Sequence, residues 1–327
     1  MNGLILSCGT RNKIIQYFKK SIHELGGKIY GADASKLAPA LYECDDFFIV
    51  PEFMNDQYIP TILEICKKKK INFLLSLIDT ELTIIAKYKN HFENIGVTVI
   101  GPNYETAQIC LNKQKMYDFL LTNEIPTQKS FFSLDDFKNA RDEGDIDFPV
   151  FIKPIYGSAS LGIQKVESIQ ELSIIFQLSK QALMIQENMN GKEFGVDCYI
   201  DIQTGSLINL FIKEKVKMRA GETDKSVSVK NYEILQLVKT FVERSQGFYG
   251  PIDIDIFEKN GIYYLSEVNP RFGGGYPHAY ECGINFPHLI LENVQNALPQ
   301  KEFFSYQSGI YMMKYSETII KKVDMGK

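Results

Sequence analysis

The sequence predicts a mixed fold: an N-terminal α/β domain on a parallel sheet, followed by an α+β region with antiparallel sheets. In the first third of the chain, short apolar runs alternate with amphipathic helical segments, which is typical of parallel strands covered by helices. From about Ala182 the strands lengthen and alternate apolar with polar residues, which favours antiparallel sheets with one solvent-facing side. The length of 327 residues suits two or three compact units.

The first third supplies the strands and helices of the parallel sheet. Strands are predicted at residues 4–7, 28–31, 73–76 and 97–100, and helices at about 13–25, 57–69 and 82–95. The lysine run 67–70 is interpreted as the solvated C-terminal turn of the second helix, because cations complement the helix dipole there. Ligands of such sheets gather at the carboxyl ends of the strands. Those ends carry the segment Cys8-Gly9-Thr10-Arg11, Asp33, and the segment Asp79-Thr80-Glu81.

A dinucleotide site is not expected at these ends. One glycine, Gly9, stands where the Gly-x-Gly-x-x-Gly fingerprint needs three, so Asp33 is not interpreted as a ribose ligand of NAD. Asp79 and Glu81 are candidate substrate ligands, and a solvated loop after a strand explains them equally well.

The remaining elements are a helix, a small-residue loop and a set of longer strands. The helix covers about residues 108–121, and the strand 148–154 runs into the loop 157–162. The longer strands are predicted at residues 183–187, 194–200, 207–215, 250–257 and 262–269.

Composition excludes several classes of protein. With 45% hydrophobic residues and no run of about 18 apolar residues, no membrane span is expected. A net charge of −4 argues against a nucleic-acid-binding protein. The six cysteines are scattered and form no Cys-x-x-Cys, so we expect reduced thiols, a cytoplasmic location, no zinc site and no disulfides. The first residues resemble a strand rather than a secretory signal.

Acidic side chains are concentrated on the last two long strands. Asp253 and Asp255 share one face of the first strand, and Glu267 and Asn269 share one face of the second, because side chains alternate along a strand. A two-residue Asn260-Gly261 turn would place Asp255 beside residues 264 and 266. A three-residue loop, 259–261, would place Asp253 opposite Glu267 and Asp255 one diagonal away. Only the second register clusters the acids, so it is the one predicted.

Such a cluster favours a divalent cation. Carboxylate and amide oxygens are ligands that Mg²⁺ prefers, and Mg²⁺ usually adds substrate phosphates to one or two carboxylates. A solvated acidic rim is the alternative. Lys153 ends an otherwise apolar strand before the loop 157–162, whose small residues let backbone N–H groups approach an anion. It is not a Walker loop, because no Gly-Lys-Ser/Thr follows.

Three motifs together resemble the ATP-grasp superfamily. They are a lysine before a small-residue loop, a Glu-x-x-x-Gly-x-Glu segment at 187–193, and Asp255 followed by Glu267-Val-Asn-Pro-Arg271. More narrowly, the chain is similar to carbamoyl-phosphate-synthase-like and pyrrolysine-biosynthesis-ligase-like carboxylate–amine ligases. The resemblance implies a pre-ATP-grasp α/β domain at residues 1–105 and a two-lobed ATP-grasp domain. Its small lobe would span residues 106–186 and its large lobe 187–327.

The resemblance also implies roles for individual residues. The ATP-binding set is Lys113, Lys153, Gly157, Ser158, Ser160, Gly162, Glu187, Met189 and Glu193. The metal ligands are Asp255, Glu267 and Asn269, and the catalytic candidates are Arg271, Lys215 and Arg219. Candidate substrate contacts are Glu81, Glu222, Gly273 and Gly274. Asn112 departs from the family pattern, since an aspartate often precedes the first ATP lysine. His278 and His288 are interpreted as structural.

The implied activity is ATP-dependent joining of a carboxylate to an amine through an acylphosphate. We expect ATP, two Mg²⁺ ions with Mn²⁺ able to substitute, and small carboxylate and amine substrates, amino acids among the candidates. A homodimer is compatible with the sequence, and no nucleic-acid or membrane partner is expected. Two alternatives stay open: carboxyphosphate chemistry with bicarbonate, and a non-catalytic ATP-binding module.

Overall fold

A computed structural model describes residues 1–157 and 162–324. The N-terminal part alternates strands and helices, as the sequence predicts. Its elements are β1 (Asn2–Leu6), α1 (Asn12–His23), β2 (Lys28–Asp33), a 3-10 helix (Pro39–Glu43), β3 (Asp46–Ile49), α2 (Tyr58–Lys69), β4 (Phe73–Ser76), α3 (Asp79–Lys87), α4 (Lys89–Glu93) and β5 (Thr98–Ile100). Strand β3 was not predicted, and the single helix predicted at 82–95 is divided into α3 and α4.

The five strands form one parallel sheet in the order β3-β2-β1-β4-β5. The chain first adds strands on one side of β1 and then crosses to the other side, so the order reverses between β1 and β4. The segments that follow these two strands therefore diverge and open a crevice. Arg11 and Asp79 lie on those two segments.

Within the described residues, four helices and a small antiparallel sheet follow. The elements are α5 (Tyr104–Leu111), α6 (Lys113–Thr122), β6 (Ser130–Phe131), α7 (Leu134–Asp142), β7 (Val150–Pro154), β8 (Gln164–Val166), α8 (Ile169–Leu178) and β9 (Leu183–Glu187). The sheet order is β6-β9-β7-β8. The single helix predicted at 108–121 is interrupted at Asn112, which is extended and accepts a hydrogen bond from the Lys115 N–H. Asn112 is thus the N-cap of α6.

A larger sheet completes the chain. Its elements are β10 (Glu193–Ile200), β11 (Leu207–Arg219), β12 (Glu222–Val229), α9 (Tyr232–Arg244), β13 (Gly250–Lys259), β14 (Ile262–Asn269), α10 (Tyr276–Glu281), α11 (Phe286–Val294), β15 (Glu302–Phe303) and β16 (Tyr311–Met313). The antiparallel order is β14-β13-β10-β11-β12-β16, with β15 parallel to β11. The predicted fold class is confirmed.

The N-terminal sheet packs firmly on the large sheet through α1. One hydrophobic core cluster contains Tyr17 and Phe18 of α1 together with Phe272, Tyr276 and Phe286 of the large lobe. The crevice of the parallel sheet and the large sheet border one cavity, which Arg11 lines together with Lys215 and Asp255. Within the described residues, the helices are all too short or too polar to cross a membrane.

Candidate active site

A deep cleft lies where the three sheets meet. Each of them contributes to its walls, and its side chains are mostly charged. The lining residues are Arg11, Lys113, Lys153, Pro154, Tyr156, Gly157, Ile163, Lys215, Met218, Gly221, Glu222, Thr223, Asp253, Asp255, Glu267, Asn269, Arg271, Gly274 and Gly275. Most of the residues assigned from the sequence therefore share one cavity.

The β13–β14 hairpin does not have the predicted three-residue loop. Lys259 pairs with Ile262, so Asn260 and Gly261 form a two-residue turn. Both turn residues have positive φ, 54° and 79°, as the type I′ turn of a tight hairpin requires. The prediction that Asp253 lies opposite Glu267 is also wrong, since Asp253 pairs with Asn269.

A β-bulge nevertheless brings the acids together. Ile256 pairs with Leu265 while the neighbouring Asp255 pairs with Glu267, so Ser266 is the extra residue. A bulge inserts one residue into a strand and changes the phase of its side chains. Leu265 and Val268 both reach the hydrophobic core although they are three residues apart. Asp255 and Glu267 consequently lie directly opposite each other on the cleft face.

The donor set on this face fits a magnesium ion that is shared with phosphates. It comprises the carboxylates of Asp255 and Glu267 and the amide of Asn269, which all line the cleft. In the described parts of the chain, no group donates a hydrogen bond to the Glu267 carboxylate. Glu267 is half-buried, and a hard cation is a suitable partner for a partly desolvated carboxylate without a donor. Across residues 1–157 and 162–324, no three His, Cys, Asp or Glu side chains are placed to hold a metal by themselves.

Lys215 neutralises part of this acidic face. Its Nζ donates to Asp255 Oδ1 at 2.6 Å and to Glu193 Oε1 at 2.7 Å, and the lysine side chain is only 5% exposed. Burial alone would lower the pKa of Lys215, but Asp255 and Glu193 outweigh it and the pKa is raised. Lys215 is therefore a fixed cation between Glu193, a predicted ATP-binding residue, and Asp255, a predicted metal ligand.

A second buried pair lies below the first on the same sheet. Lys213 donates to Asp197, and both side chains are almost fully buried. Burial first and Asp255 second raise the pKa of Asp253 to about 7. Three strands thus present charges of both signs on one face.

The glycine run that follows β14 makes room for these charges. A Cβ at Gly273 would lie 2.5 Å from Asp253 Cγ, and one at Gly275 would lie 2.6 Å from Lys213 Cε. One at Gly274 would lie 2.9 Å from Arg11 Nη1. Gly273 and Gly274 are predicted substrate contacts. Their geometry shows that they also admit the charged side chains beneath the loop.

Lys153 and Lys113 form the opposite wall of the cleft. Lys153 is 7% exposed at the end of β7. Burial lowers the pKa of Lys153, and the nearby Glu267 opposes that effect. Lys113 begins α6 and its Nζ donates to the Gly157 carbonyl at 2.5 Å. Gly157 and Gly162 have positive φ, which suits glycine. The candidates Ser158 and Ser160 lie outside the described residues.

Arg271 is held by an ion pair with the N-terminal domain. Its Nε and Nη2 both reach Asp79 Oδ2, at 2.9 and 2.8 Å. Nη2 also donates to Asn269 Oδ1, and Nη1 donates to the Phe272 carbonyl. Asp79 therefore is not a solvated loop residue, since it lies 9% exposed against the arginine.

The segment 188–192 joins β9 of the small sheet to β10 of the large one. Glu187 ends β9, and its carboxylate binds Lys259 Nζ. Met189 is buried. A small side pocket next to this region shares Lys113, Lys153 and Glu267 with the main cleft. Its other lining residues are Cys110, Met116, Tyr117, Thr127, Met184, Gln186 and Ser266.

Two candidates lie away from the cleft. Glu81 is 1% exposed inside the N-terminal domain. Its carboxylate accepts hydrogen bonds from Ser7 and Tyr58 at 2.8 and 2.5 Å, and from Ser76. Burial raises the pKa of Glu81 despite these bonds. Arg219 is exposed at the end of β11. Their assignment as substrate and catalytic residues stays a prediction that this geometry does not support.

Sequence reasoning assigned no role to Arg11, which it placed at a strand end, or to Asp197 and Lys213. The last two carried a signal: Glu193, Gly195 and Asp197 alternate on one strand, and Lys213 and Lys215 alternate on the next. Arg11 carried less, because a single arginine after a first strand is common in parallel sheets.

Comparison with known proteins agrees with this geometry. Residues 4–100 match the family model described as PylC-like, N-terminal domain, and residues 179–318 match the one described as ATP-grasp in the biosynthetic pathway with Ter operon. The chain is 24% identical to a D-alanine–D-alanine ligase of Francisella philomiragia over 75% of this chain and 87% of that one. It is 22% identical to a phosphoribosylamine–glycine ligase of Fusobacterium nucleatum over 84% and 68% of the two chains.

Solved structures show the same fold. N5-carboxyaminoimidazole synthetase from Staphylococcus aureus complexed with ADP superimposes with a TM-score of 0.72 at 14% identity, covering 91% of this chain and 78% of that one. The L-amino acid ligase from Bacillus licheniformis gives a TM-score of 0.68 at 20% identity, with 91% and 75% covered. These structures show the fold, and the two family models and the ligase relatives confirm the resemblance inferred from the motifs.

Proposed function

The chain belongs to the ATP-grasp superfamily, and on that premise we propose that it is an ATP-dependent ligase joining a carboxylate to an amine, with release of ADP and phosphate. One observation carries the proposal. In a single cleft, the acidic face formed by Asp255, Glu267 and Asn269 lies opposite Lys113 and Lys153. That arrangement suits a metal-bound polyphosphate.

The physical difficulty of this reaction is that an anion attacks a polyanion. Fixed cations placed beforehand offset the repulsion and stabilise charge on the transferring group. Lys153 and Lys113 would bind phosphate oxygens on one wall, and Lys215 would hold the face that carries Asp255. Arg271 would face the transferring phosphoryl group or the carboxylate that receives it. Magnesium, when bound by Glu267, Asn269 and Asp255, would neutralise phosphate charge.

The bond changes are balanced as follows. A carboxylate oxygen attacks the γ-phosphorus of ATP, ADP leaves, and an acylphosphate forms. The amine then attacks the acyl carbon, and phosphate leaves with the original carboxylate oxygen. The amine loses one proton overall. Exclusion of water from the cleft would protect the acylphosphate from hydrolysis.

The matched experiment is a phosphate-release screen. Pairs of amino acids and small carboxylates are incubated with ATP and Mg²⁺, and Glu267→Gln is the inactive control. Bicarbonate is included, because carboxyphosphate chemistry uses the same site. Transfer of ¹⁸O from a labelled carboxylate into phosphate is expected. An active enzyme without that transfer would exclude the acylphosphate, and no phosphate release with any acid would favour a non-catalytic module.

Small molecules are the expected substrates, as the names of the relatives indicate for those proteins. A homodimer also stays part of the proposal. Light scattering of the purified chain would test it, and a monomer at all concentrations would exclude it.

A further inference from the structure

We propose that Arg11 binds a carboxylate of the substrate that does not itself react, so that the N-terminal domain selects an anionic substrate. The inference rests on the proposed function, because it places this carboxylate beside the ATP-grasp cleft. It concerns a residue to which neither the sequence motifs nor the phosphate chemistry assigns a role.

Arg11 occupies the position where an open parallel sheet binds its ligands. It follows β1, at the point where the strand order reverses between β1 and β4. Ligands of such sheets bind in the crevice beyond the carboxyl ends of those strands. Here the crevice opens onto the cleft, and Arg11 is one of the lining residues.

The guanidinium of Arg11 has donors to spare. Its Nη2 pairs with Glu222 Oε1 at 2.9 Å, and within residues 1–157 and 162–324 no other acceptor binds that guanidinium. Arginine carries five N–H donors in a planar fork that matches a carboxylate. Most N–H donors of the Arg271 guanidinium, by contrast, already bind Asp79, Asn269 and Phe272. Arg11 is therefore the arginine of the cleft that is free to bind a ligand.

The charges around Arg11 leave room for an anion. Glu222 also binds Lys314 Nζ, through Oε2 at 2.8 Å. Burial raises the pKa of Glu222, but Arg11 and Lys314 outweigh it and lower the pKa. One carboxylate thus serves two cations, and one positive charge stays uncompensated. The Arg271–Asp79 pair, in comparison, is neutral.

The backbone approaches Arg11 closely. A Cβ at Gly274 would lie 2.9 Å from Arg11 Nη1 and 2.8 Å from Glu222 Cδ. A substrate lying along the glycine loop would therefore pass within reach of the guanidinium. Glu222 already shows that a carboxylate fits one edge of the arginine, and the substrate carboxylate would take the other.

The test measures binding with matched acids and amides. Free amino acids and short dicarboxylates, each paired with the amide of its non-reacting carboxylate, are titrated into the full chain with ADP and Mg²⁺ by calorimetry. Wild type, Arg11→Gln, Arg11→Lys and Arg244→Gln are compared. Arg244 is a matched control, because it is half-exposed and pairs with Glu124 far from the cleft.

We expect the wild type to bind at least one acid about tenfold more tightly than its amide, the factor of one lost ion-paired contact. In Arg11→Gln the acid and the amide should bind within about twofold of each other, while ADP affinity changes less than about twofold. Arg11→Lys should recover part of the preference, because charge is kept and the fork is lost. Arg244→Gln should behave as wild type.

Any of three results would overturn the inference. The wild type could bind acids and amides equally, or bind no acid at all. Alternatively, Arg11→Gln could weaken acid, amide and ADP by the same factor, which would mean that Arg11 only ties the domain to the β11–β12 hairpin. Phosphate release distinguishes this failure from failure of the proposed function. If substrates whose non-reacting carboxylate is an amide turn over as well as the acids, the proposed ligase activity stands and the Arg11 site is rejected. If the chain binds acids selectively but does not turn over, the Arg11 site stands and the ligase activity is rejected.

Discussion

The Asp79 carboxylate holds the Arg271 guanidinium through a single oxygen, Oδ2, at 2.9 Å from Nε and 2.8 Å from Nη2. Asp79 follows β4 of the parallel sheet and Arg271 follows β14 of the large sheet, and both side chains are almost buried, 10% and 12% exposed. Asp79 therefore fixes the orientation of the arginine that faces the cleft. The contact also joins the crevice of the parallel sheet to the acidic strand of the large one.

Asp79→Ala should impair both stability and turnover. Removing one partner of a buried ion pair costs about 3–5 kcal/mol of unfolding free energy, and misplacing a catalytic group costs roughly a hundredfold in rate. Urea unfolding and phosphate release measure the two effects. Asp145→Ala removes the acid of the exposed Lys129 pair and should cost less than about 1 kcal/mol. Full activity of Asp79→Ala at low temperature would show that Asp79 has only a structural role.

Gly273→Ala should create a steric conflict with one identified side chain. The new Cβ would lie 2.5 Å from Asp253 Cγ, and overpacking of this kind costs about 1–3 kcal/mol. In an Asp253→Ala background the obstructing carboxylate is gone, so the same substitution should cost less than about 1 kcal/mol. A double-mutant cycle of unfolding free energies measures this coupling. Additive effects would mean that the loop moves away instead.

His278 should make the native state sensitive to acid. Its Nε2 donates to the Ile310 carbonyl at 3.0 Å, and Nδ1 lies 2.8 Å from Ser226 Oγ, so the neutral ring satisfies both contacts. Burial first and Lys213 second lower the pKa of His278 to about 4. Between about pH 6.5 and pH 4 the unfolded chain binds a proton that the native chain does not, so stability falls as pH falls.

The size of this effect is about 2 kcal/mol between pH 7 and pH 5. His278→Gln should show that much less pH dependence of its unfolding free energy over this range than the wild type. His288 is exposed and pairs only with Glu292, so His288→Gln is the matched control. Equal pH dependence in all three proteins would contradict the prediction.

The alternation of side chains predicted the acidic face correctly but not the route by which the strands produce it. Regular pairing allowed either a two-residue or a three-residue loop. The structure has the two-residue turn, which the prediction rejected, and the bulge at Ser266 restores the side-chain alternation that brings the acids together. The spacing of Leu265 and Val268, three residues instead of two, was the available signal. The position of a bulge depends on packing against both faces of the sheet. The residue pattern of one strand is therefore not sufficient to predict it.

The buried charges were harder to predict because they depend on neighbours distant in sequence. Asp79 and Arg271 are each consistent with an exposed loop when considered alone. Glu81 had the same local context as Asp79, yet three hydroxyl groups hold it inside the domain. Only the packing of the parallel sheet distinguishes the two acids. Periodicity, in contrast, was sufficient for four of the five parallel strands and for β9, β10, β11, β13 and β14, but it did not predict β3 or β12.

Metal binding should depend on nucleotide. Lys215 already neutralises Asp255, and among the described residues no three His, Cys, Asp or Glu side chains are placed to hold a metal ion. Two carboxylates and an amide leave most positions of an octahedral Mg²⁺ to water or phosphate. We therefore expect Mn²⁺ to bind the nucleotide-free chain weakly and to bind at least about tenfold more tightly in the presence of ADP.

Electron paramagnetic resonance of free Mn²⁺ measures this dependence directly. Glu267→Gln should abolish the gain produced by ADP, because it removes the carboxylate that has no protein donor, and it should lower turnover by roughly a hundredfold or more. Glu243→Gln, on the exposed part of α9, should change neither quantity. Tight Mn²⁺ binding without nucleotide would instead require Lys215 to leave Asp255, since the ammonium and the metal compete for the same oxygen. If Lys215 left Asp255 in this way, the Lys215→Met variant would bind Mn²⁺ no more tightly than the wild type. The observed Lys215–Asp255 pair predicts instead that Lys215→Met binds Mn²⁺ more tightly.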